Sequence, residues 1–266
     1  MSARHPEARA DRPTFSADVS WDSFDPAAYI DHNYRYLRPD DEEIIRFVRD
    51  HFSDHFRAAR SKKSNGPVRG IDVGAGANLY PALSMLPWCD EITLLERSAA
   101  NAEYLGKQCE GYDPHWDQFW QVLRKETAYH DLAEDPRARF RRIVQVMKGN
   151  LFDLDGLPGH WSMGTMFFVA ESMSTSHQEF EQGVERFMLA LAPGAPFAAA
   201  FMEGSLGYEV GGHVFPACSV TGEEVQAALA PFIDGTVEIR PIGMPGGALR
   251  PGYEGMIVAC GHRGAQ

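Results

Sequence analysis

The sequence predicts an α/β fold, a mostly parallel sheet with helices on both faces. Two observations carry the prediction. Short apolar runs without polar alternation, such as "GIDVG", "EITLLE" and "PFAAAFM", read as strands buried on both sides. Between them lie segments whose apolar residues recur every three to four positions, so strands and helices alternate along the chain. No repeat or linker interrupts the 266 residues, and 44% of them are hydrophobic, enough for one large core.

The elements follow in order. The start, "MSARHPEARADRP", is polar and lacks the apolar stretch of a secretory signal. Residues 1–20 are expected to be disordered, and a single domain is expected over 21–266, with an N-terminal helical cap over about 21–60. In "DDEEIIRFVRDHFSDHF", Ile45, Val48, Phe52 and Phe56 share one helical face, and Asp40 or Asp41 can cap its start. "VRGIDVG" is the first strand and "PALSML" opens a helix after Pro81. "EITLLE" is the second strand, followed by the helical "SAANAEYLGKQ". "PHWDQFWQVLRKETAYHDL" and "PRARFRRIVQVM" read as two further helices. "GTMFFVAES" is a strand, "QEFEQGVERFMLALA" a helix, "PGAPFAAAFMEG" a turn into a strand and "TGEEVQAALAPF" a helix. "VEIRPIGM" and "GMIVACGH" have no helix between them, so they are expected to pair antiparallel through "PGGALRPGYEG".

Composition excludes several functions. The formal net charge is −12, and the dense basic runs, "RAARSKKS" and "RARFRR", are short enough to be solvated faces. A nucleic-acid partner is not expected. Cys89, Cys109, Cys218 and Cys260 are scattered and form neither a disulfide framework nor a zinc knuckle. No apolar run approaches the ~18 residues of a membrane span. His51 and His55 stand four apart on a helix, but the sequence brings no third ligand near them, so no metal is expected. The reading is a soluble, cytoplasmic protein that acts on a small molecule; the sequence leaves the oligomeric state open, with a monomer favoured.

The chemistry concentrates after the first strand, in "IDVGAGANLY". In an open α/β sheet, ligands bind past the carboxyl ends of the strands, where strand order reverses. Gly74 and Gly76 permit positive φ and close approach of backbone N–H groups. The third glycine of a dinucleotide fingerprint is absent, because Leu79 holds its place. Glu96 ends the second strand, where a carboxylate can accept both hydroxyls of a ribose.

This pattern, with Asp72 before the glycines, resembles class I S-adenosylmethionine-dependent methyltransferases. "LALAPGAPFAAAF" resembles the turn that enters the fifth strand of that Rossmann-like fold. From Phe24 to about residue 260 the chain resembles one family in particular, the nicotinamide, phenylethanolamine and thioether methyltransferases. The residues that carry the resemblance are "FDPAAYIDHNY", "IDVGAGANLYPALS", "ERSAAN" and the insertion "DPHWDQFWQVL". The resemblance implies a doubly wound sheet of seven strands with the last antiparallel.

It also implies residue roles. Tyr29 and Tyr34 would close over cofactor and substrate. Asp72, Gly74 and Gly76 would form the cofactor turn, with the glycines facing the methionine portion. Tyr80 would reach its carboxylate, Glu96 would hold the ribose, and Asn101 would lie near either. Asn150 and Leu151 would flank the adenine. The family carries an acid where Asn150 stands, and Asp153 is the acid nearby; a second cap tyrosine is replaced by Asn33.

The implied reaction moves a methyl group from a sulfonium to a lone pair. Proximity and orientation can supply up to roughly 7–11 kcal/mol of such a barrier. Aromatic faces of Tyr29, Tyr34 and Trp21 would favour an amine or ring nitrogen, at about 0.5–2 kcal/mol each. On the substrate side, "FMEGSLGYEVGGHVF" reads as a glycine-rich mobile lid, in which Glu203 or Glu209 would anchor the acceptor. Ser172 and His177 follow the fourth strand in "ESMSTSH". Oxygen, sulfur and carbon acceptors are alternatives. So are a dinucleotide-dependent oxidoreductase, against which Leu79 speaks, and a non-catalytic cofactor-binding protein.

Overall fold

Helices begin where the sequence supplies a cap. The computed structural model describes residues 12–59, 66–243 and 252–265. Asp25 accepts the N–H groups of Ala27 at 2.9 Å and Ala28 at 3.1 Å, and Pro26 opens α1 (Pro26–Asn33). The long helix α2 (Pro39–Ala59) buries Ile44, Ile45, Val48 and Phe52. Then β1 (Arg69–Val73), α3 (Tyr80–Met85), β2 (Glu91–Glu96) and α4 (Ala99–Glu110) alternate, with Ser98 capping α4. α5 (Asp117–Leu123), α6 (Thr127–His130) and α7 (Pro136–Ile143) lead to β3 (Val144–Lys148) and β4 (Met163–Phe167). α8 (His177–Ala190) is capped by Ser176 and runs to β5 (Pro196–Glu203). A hairpin of β6 (Tyr208–Val210) and β7 (His213–Phe215) follows. α9 (Gly222–Leu229) starts with a reciprocal Thr221–Glu224 capping box, and β8 (Glu238–Ile242) and β9 (Gly255–His262) close the chain.

The main sheet has seven strands in the order β3-β2-β1-β4-β5-β9-β8. β9 runs antiparallel to both β5 and β8, and the remaining pairs are parallel. Inserting the last strand between β5 and β8 explains its fully apolar character: Met256 to Gly261 are all buried. One core, on the side of α2, α3, α5 and α7, gathers Ile44, Leu83, Phe119 and Phe140. The other, under α8 and α9, gathers Phe180, Phe187, Phe197 and Val225. β2 and β3 lie to one side of β1, and β4 and β5 to the other, so strand order reverses between β1 and β4. A crevice opens at the carboxyl ends of strands at such a reversal.

Four segments differ from the sequence reading. "PRARFRRIVQVM" is helical only to Ile143; Val144–Lys148 is strand, paired in register from Ile92↔Val144 to Glu96↔Lys148. The β-branched Val144 and Val146 favour a strand, and an edge position leaves the rest partly exposed, which hides the strand in the sequence. "PHWDQFWQVLRKETAYHDL" is a single turn and two short helices, because Glu126 accepts the N–H of Ala128 at 2.8 Å and starts α6 anew. The glycine-rich segment read as a lid is the β6–β7 hairpin, turned at Gly211 and Gly212, which have φ of 57° and 81°. Finally, residues 1–11 lie outside the described residues, but 12–20 are docked. Thr14 N–H donates to Thr175 Oγ1 at 2.9 Å and Ser16 N–H to Glu179 Oε2 at 2.8 Å.

Part of the run "RAARSKKS" also lies outside the described residues. In "RARFRR", Arg139 donates to the carbonyls of Leu86 and Cys89, and Arg142 pairs with Glu134. No helix among the described residues is long and apolar enough to cross a membrane.

Candidate functional site

The glycine turn is built from β1 outward. Gly74 and Gly76 both take the left-handed region, at φ of 63° and 58°. A side chain at Gly74 would have its Cβ 2.7 Å from both methyl carbons of Val169, so this glycine makes room for protein. A Cβ at Gly76 would meet only the Gly74 carbonyl, at 3.7 Å, and would fill the space in front of the turn. Asn78 Oδ1 accepts the N–H of Tyr80 at 3.1 Å and starts α3, while its Nδ2 is buried without a partner.

Glu96 anchors the turn from the neighbouring strand. Its two carboxylate oxygens accept the N–H of Gly76 at 2.8 Å and of Ser98 at 2.6 Å. Burial raises its pKa above the usual range, and those backbone donors, with the Asn101 side chain, hold it back. Asn101 Oδ1 is itself buried without a partner.

These groups line a cleft across the strand reversal, with about 800 Å³ of empty space including its open mouth. Gly74 to Asn78, Glu96 and Asn101 form its floor; Leu95, Leu151, Val169 and Met173 add an apolar slot, with the polar Asn150 beside it. The roof is aromatic: Trp21, Phe24, Tyr29 and Tyr34 come from the N-terminal segment, and Tyr208 from the hairpin. Phe24 and Phe215 sit 5.3 Å apart between ring centroids, which joins cap to hairpin. Phe167 and Phe168 close one wall. Phe168 is the one non-glycine with positive φ among the described residues, at 60°. Such strain persists at sites the surrounding structure over-determines.

The residues singled out by sequence separate into two groups. Tyr29, Tyr34, Gly74, Gly76, Glu96, Asn101, Asn150, Leu151 and Ser172 line the cleft. Asp72, Tyr80, Glu203 and Glu209 are not among its lining residues. Asp72 is buried behind the turn, where Oδ1 accepts the Thr165 hydroxyl at 2.8 Å and burial pushes its pKa up to about 8. Tyr80 is fully buried behind Tyr34, stacked on Phe119 at 5.7 Å. Glu209 is exposed, because strand alternation turns it away from the cleft when its neighbour Tyr208 faces in. Glu203 is half-buried beside β9, its Oε2 3.8 Å from where a Cβ of Gly255 would stand. Asn150 spends its side-chain oxygen on the N–H of Phe152, and Asp153 is exposed.

Ser16, Asn78, Phe167, Phe168 and Tyr208 join the cleft without having been singled out. No local pattern marks them; they come from four separate parts of the chain. A buried acid, Glu171, also lies behind Ser172, with Oε1 accepting the Ser172 hydroxyl at 2.9 Å and Met202 N–H at 3.1 Å. His177 is exposed and sits 3.2 Å from Glu224 at the start of α8. Far from the cleft, His262 reaches His55, Nε2 to Nδ1 at 3.0 Å, and His51, 5.2 Å between ring centroids. Among the described residues no group of three or more His, Cys, Asp or Glu is arranged to hold a metal ion.

The donor set fits an adenosyl amino acid. Glu96 and Asn101 present acceptors suited to ribose hydroxyls, Asn78 Nδ2 presents a donor, and the space left by Gly76 admits a ligand against the backbone.

Comparisons agree with this geometry. A carbon methyltransferase, CurJ, superposes with a TM-score of 0.54 at 10% identity, over 93% of this chain and 62% of that one. A methyltransferase from Methanosarcina mazei, described as S-adenosylmethionine-dependent, gives 0.51 at 11% identity, over 79% and 98%. Geranyl diphosphate methyltransferase in complex with S-adenosylmethionine gives 0.51 at 10%, over 84% and 85%. At these identities the likeness shows a common fold. No curated protein matches the sequence. The model of the NNMT/PNMT/TEMT family matches residues 13–240. The chain therefore belongs to that family of S-adenosylmethionine-dependent methyltransferases.

Proposed function

We propose that the protein methylates a small molecule at an amine or ring nitrogen. The observation that carries this reading is the aromatic enclosure above the cofactor cleft: Trp21, Phe24, Tyr29, Tyr34, Phe167, Phe168 and Tyr208 surround the space left over the glycine turn. Aromatic faces attract a nitrogen that gains positive charge, by about 0.5–2 kcal/mol each when water is excluded.

The cofactor, when bound, supplies a methyl group on a cationic sulfur. The chain holds and orients the two partners. Glu96 and Asn101 take the ribose hydroxyls, Leu95 and Leu151 flank the base, and the tyrosines of the cap exclude water. Ser172 is a polar group of the cleft whose hydroxyl donates to the buried acid Glu171 behind it. We assign acceptor positioning to Ser172 in preference to Glu203 or Glu209, which lie off the cleft lining.

The test has two stages. Calorimetry should show binding of S-adenosylmethionine and its demethylated product, with NAD far weaker. Transfer of labelled methyl to a panel of amines, pyridines, phenols, thiols and activated carbon acids then identifies the acceptor atom. Labelling confined to the phenols, thiols or carbon acids would overturn the nitrogen reading.

A further inference from the structure

We propose that Phe215 positions the aromatic roof over the methyl acceptor by locking the β6–β7 hairpin to the N-terminal cap; the role rests on the acceptor site proposed above.

Neither part of the roof holds its own geometry. β6 and β7 have three residues each and form a two-stranded sheet of their own, outside the seven-stranded one. An isolated two-stranded hairpin is marginal in water. The cap enters through two single 3₁₀ turns, Ser16–Asp18 and Trp21–Ser23, which likewise need a surface to rest on. Contact between the two segments supplies what each lacks.

Phe215 makes that contact. It is the register partner of Tyr208 across the hairpin, so both rings stand on one face. Strand alternation leaves its neighbour Val214 exposed and turns Phe215 inward, where it is only 1% exposed. Its ring is stacked on Trp21 at 5.7 Å and on Tyr208 at 5.5 Å between centroids, each at 24°, and is tilted against Phe24 at 5.3 Å. Those three rings line the cleft, and Phe215 is not among the lining residues. Phe24, Val210 and Phe215 are the buried centre of a small apolar cluster beside the two main cores. The backbone joins as well: a Cβ at Gly211, in the hairpin turn, would stand 2.8 Å from the Cβ of Asp25, the residue that caps α1. From Phe24 the ring contacts continue to Tyr29 on α1, at 5.1 Å.

A ring buried behind the roof and shared by both segments fixes the faces that meet the acceptor. Transfer needs the acceptor lone pair in line with the bond that breaks, and a displacement of about 1 Å can cost on the order of a hundredfold in rate. The cofactor floor is set by the turn after β1 and by Glu96 at the end of β2. Loss of the lock should therefore reach the acceptor and spare the cofactor.

The experiment follows hydrogen exchange of peptides covering residues 19–34 and 208–215, with and without saturating S-adenosylhomocysteine, in wild type, Phe215→Leu and Trp21→Leu. Leucine keeps most of the buried apolar volume and removes the flat face, so a residue that only fills a core would tolerate it. In wild type the ligand should slow exchange in both segments by about tenfold. In Phe215→Leu the protection of 19–34 should remain and that of 208–215 should be lost, and Trp21→Leu should loosen 208–215 in the same way. A kinetic arm uses whichever of quinoline, benzylamine, phenol and thiophenol the wild type methylates. Its KM should rise about tenfold or more in Phe215→Leu while the dissociation constant of S-adenosylhomocysteine stays near the wild-type value. No ligand protection of 208–215 in wild type, equal protection there in Phe215→Leu, or a KM and a dissociation constant that rise together would overturn the proposal. Transfer confined to phenol and thiophenol would overturn the nitrogen reading and leave the lock standing on its exchange result. A wild type that binds no S-adenosylhomocysteine overturns both.

Discussion

The Glu96 carboxylate accepts the N–H of Gly76 at 2.8 Å, so the acid proposed to hold the ribose also fixes the turn beneath it. Glu96→Ala should weaken S-adenosylhomocysteine binding by about 2–3 kcal/mol, because hydrogen bonds to a charged group contribute about 1.5–3 kcal/mol. Melting temperature should fall as well, since the N–H groups of Gly76 and Ser98 lose their acceptor. An unchanged dissociation constant in a folded Glu96→Ala protein would remove Glu96 from the cofactor site.

Gly74 and Gly76 should respond differently to alanine. Both incur about 1–2 kcal/mol for placing a Cβ at positive φ. Gly74→Ala also drives its Cβ to 2.7 Å from Val169, adding about 1–3 kcal/mol of overpacking. Denaturant unfolding of Gly74→Ala, Val169→Ala and the double variant separates the two costs. Full additivity in that cycle would show that Val169 is not what requires glycine at position 74.

Arg97 ties the N-terminal segment to the rim of the cleft, donating to Ser16 O at 3.1 Å and Ser16 Oγ at 2.9 Å. Bound cofactor product should slow proteolytic cleavage within residues 12–37, and Arg97→Ala should speed it severalfold. Equal cleavage with and without ligand would mean that the segment does not close over the cofactor.

Three neutral histidines join α2 to β9. His51 donates Nε2–H to the Gly261 carbonyl at 3.1 Å, and burial, with the charge of His262, lowers the His51 and His55 pKa values to about 4. Unfolded histidine titrates near 6.5. Between pH 6.5 and 4 the unfolded chain therefore binds more protons, and stability falls as pH drops through that window. His51→Gln should flatten this part of the profile in urea melts. A slope equal to wild type would mean that His51 is not the group being protonated.

Local sequence determined the alternation of strands and helices, the glycine turn, Glu96 and the aromatic cap, because each rests on neighbours within a few residues. Val73-Gly74-Ala75-Gly76 bends at its own glycines, and Asp25-Pro26 starts α1 with its own cap. Tertiary structure decided what depends on distant partners. Val144–Lys148 is a strand because β2 pairs with it. Tyr80 and Asp72 lie behind the cleft lining, because Tyr34 and the turn cover them. Tyr208 faces the cleft and Glu209 faces solvent because the hairpin docks through Phe215 onto Phe24 and fixes which side of β6 turns inward. A one-residue change of register would exchange those two faces. Residue pattern sets the periodicity of an element, and packing against the rest of the chain sets which of its faces meets the ligand.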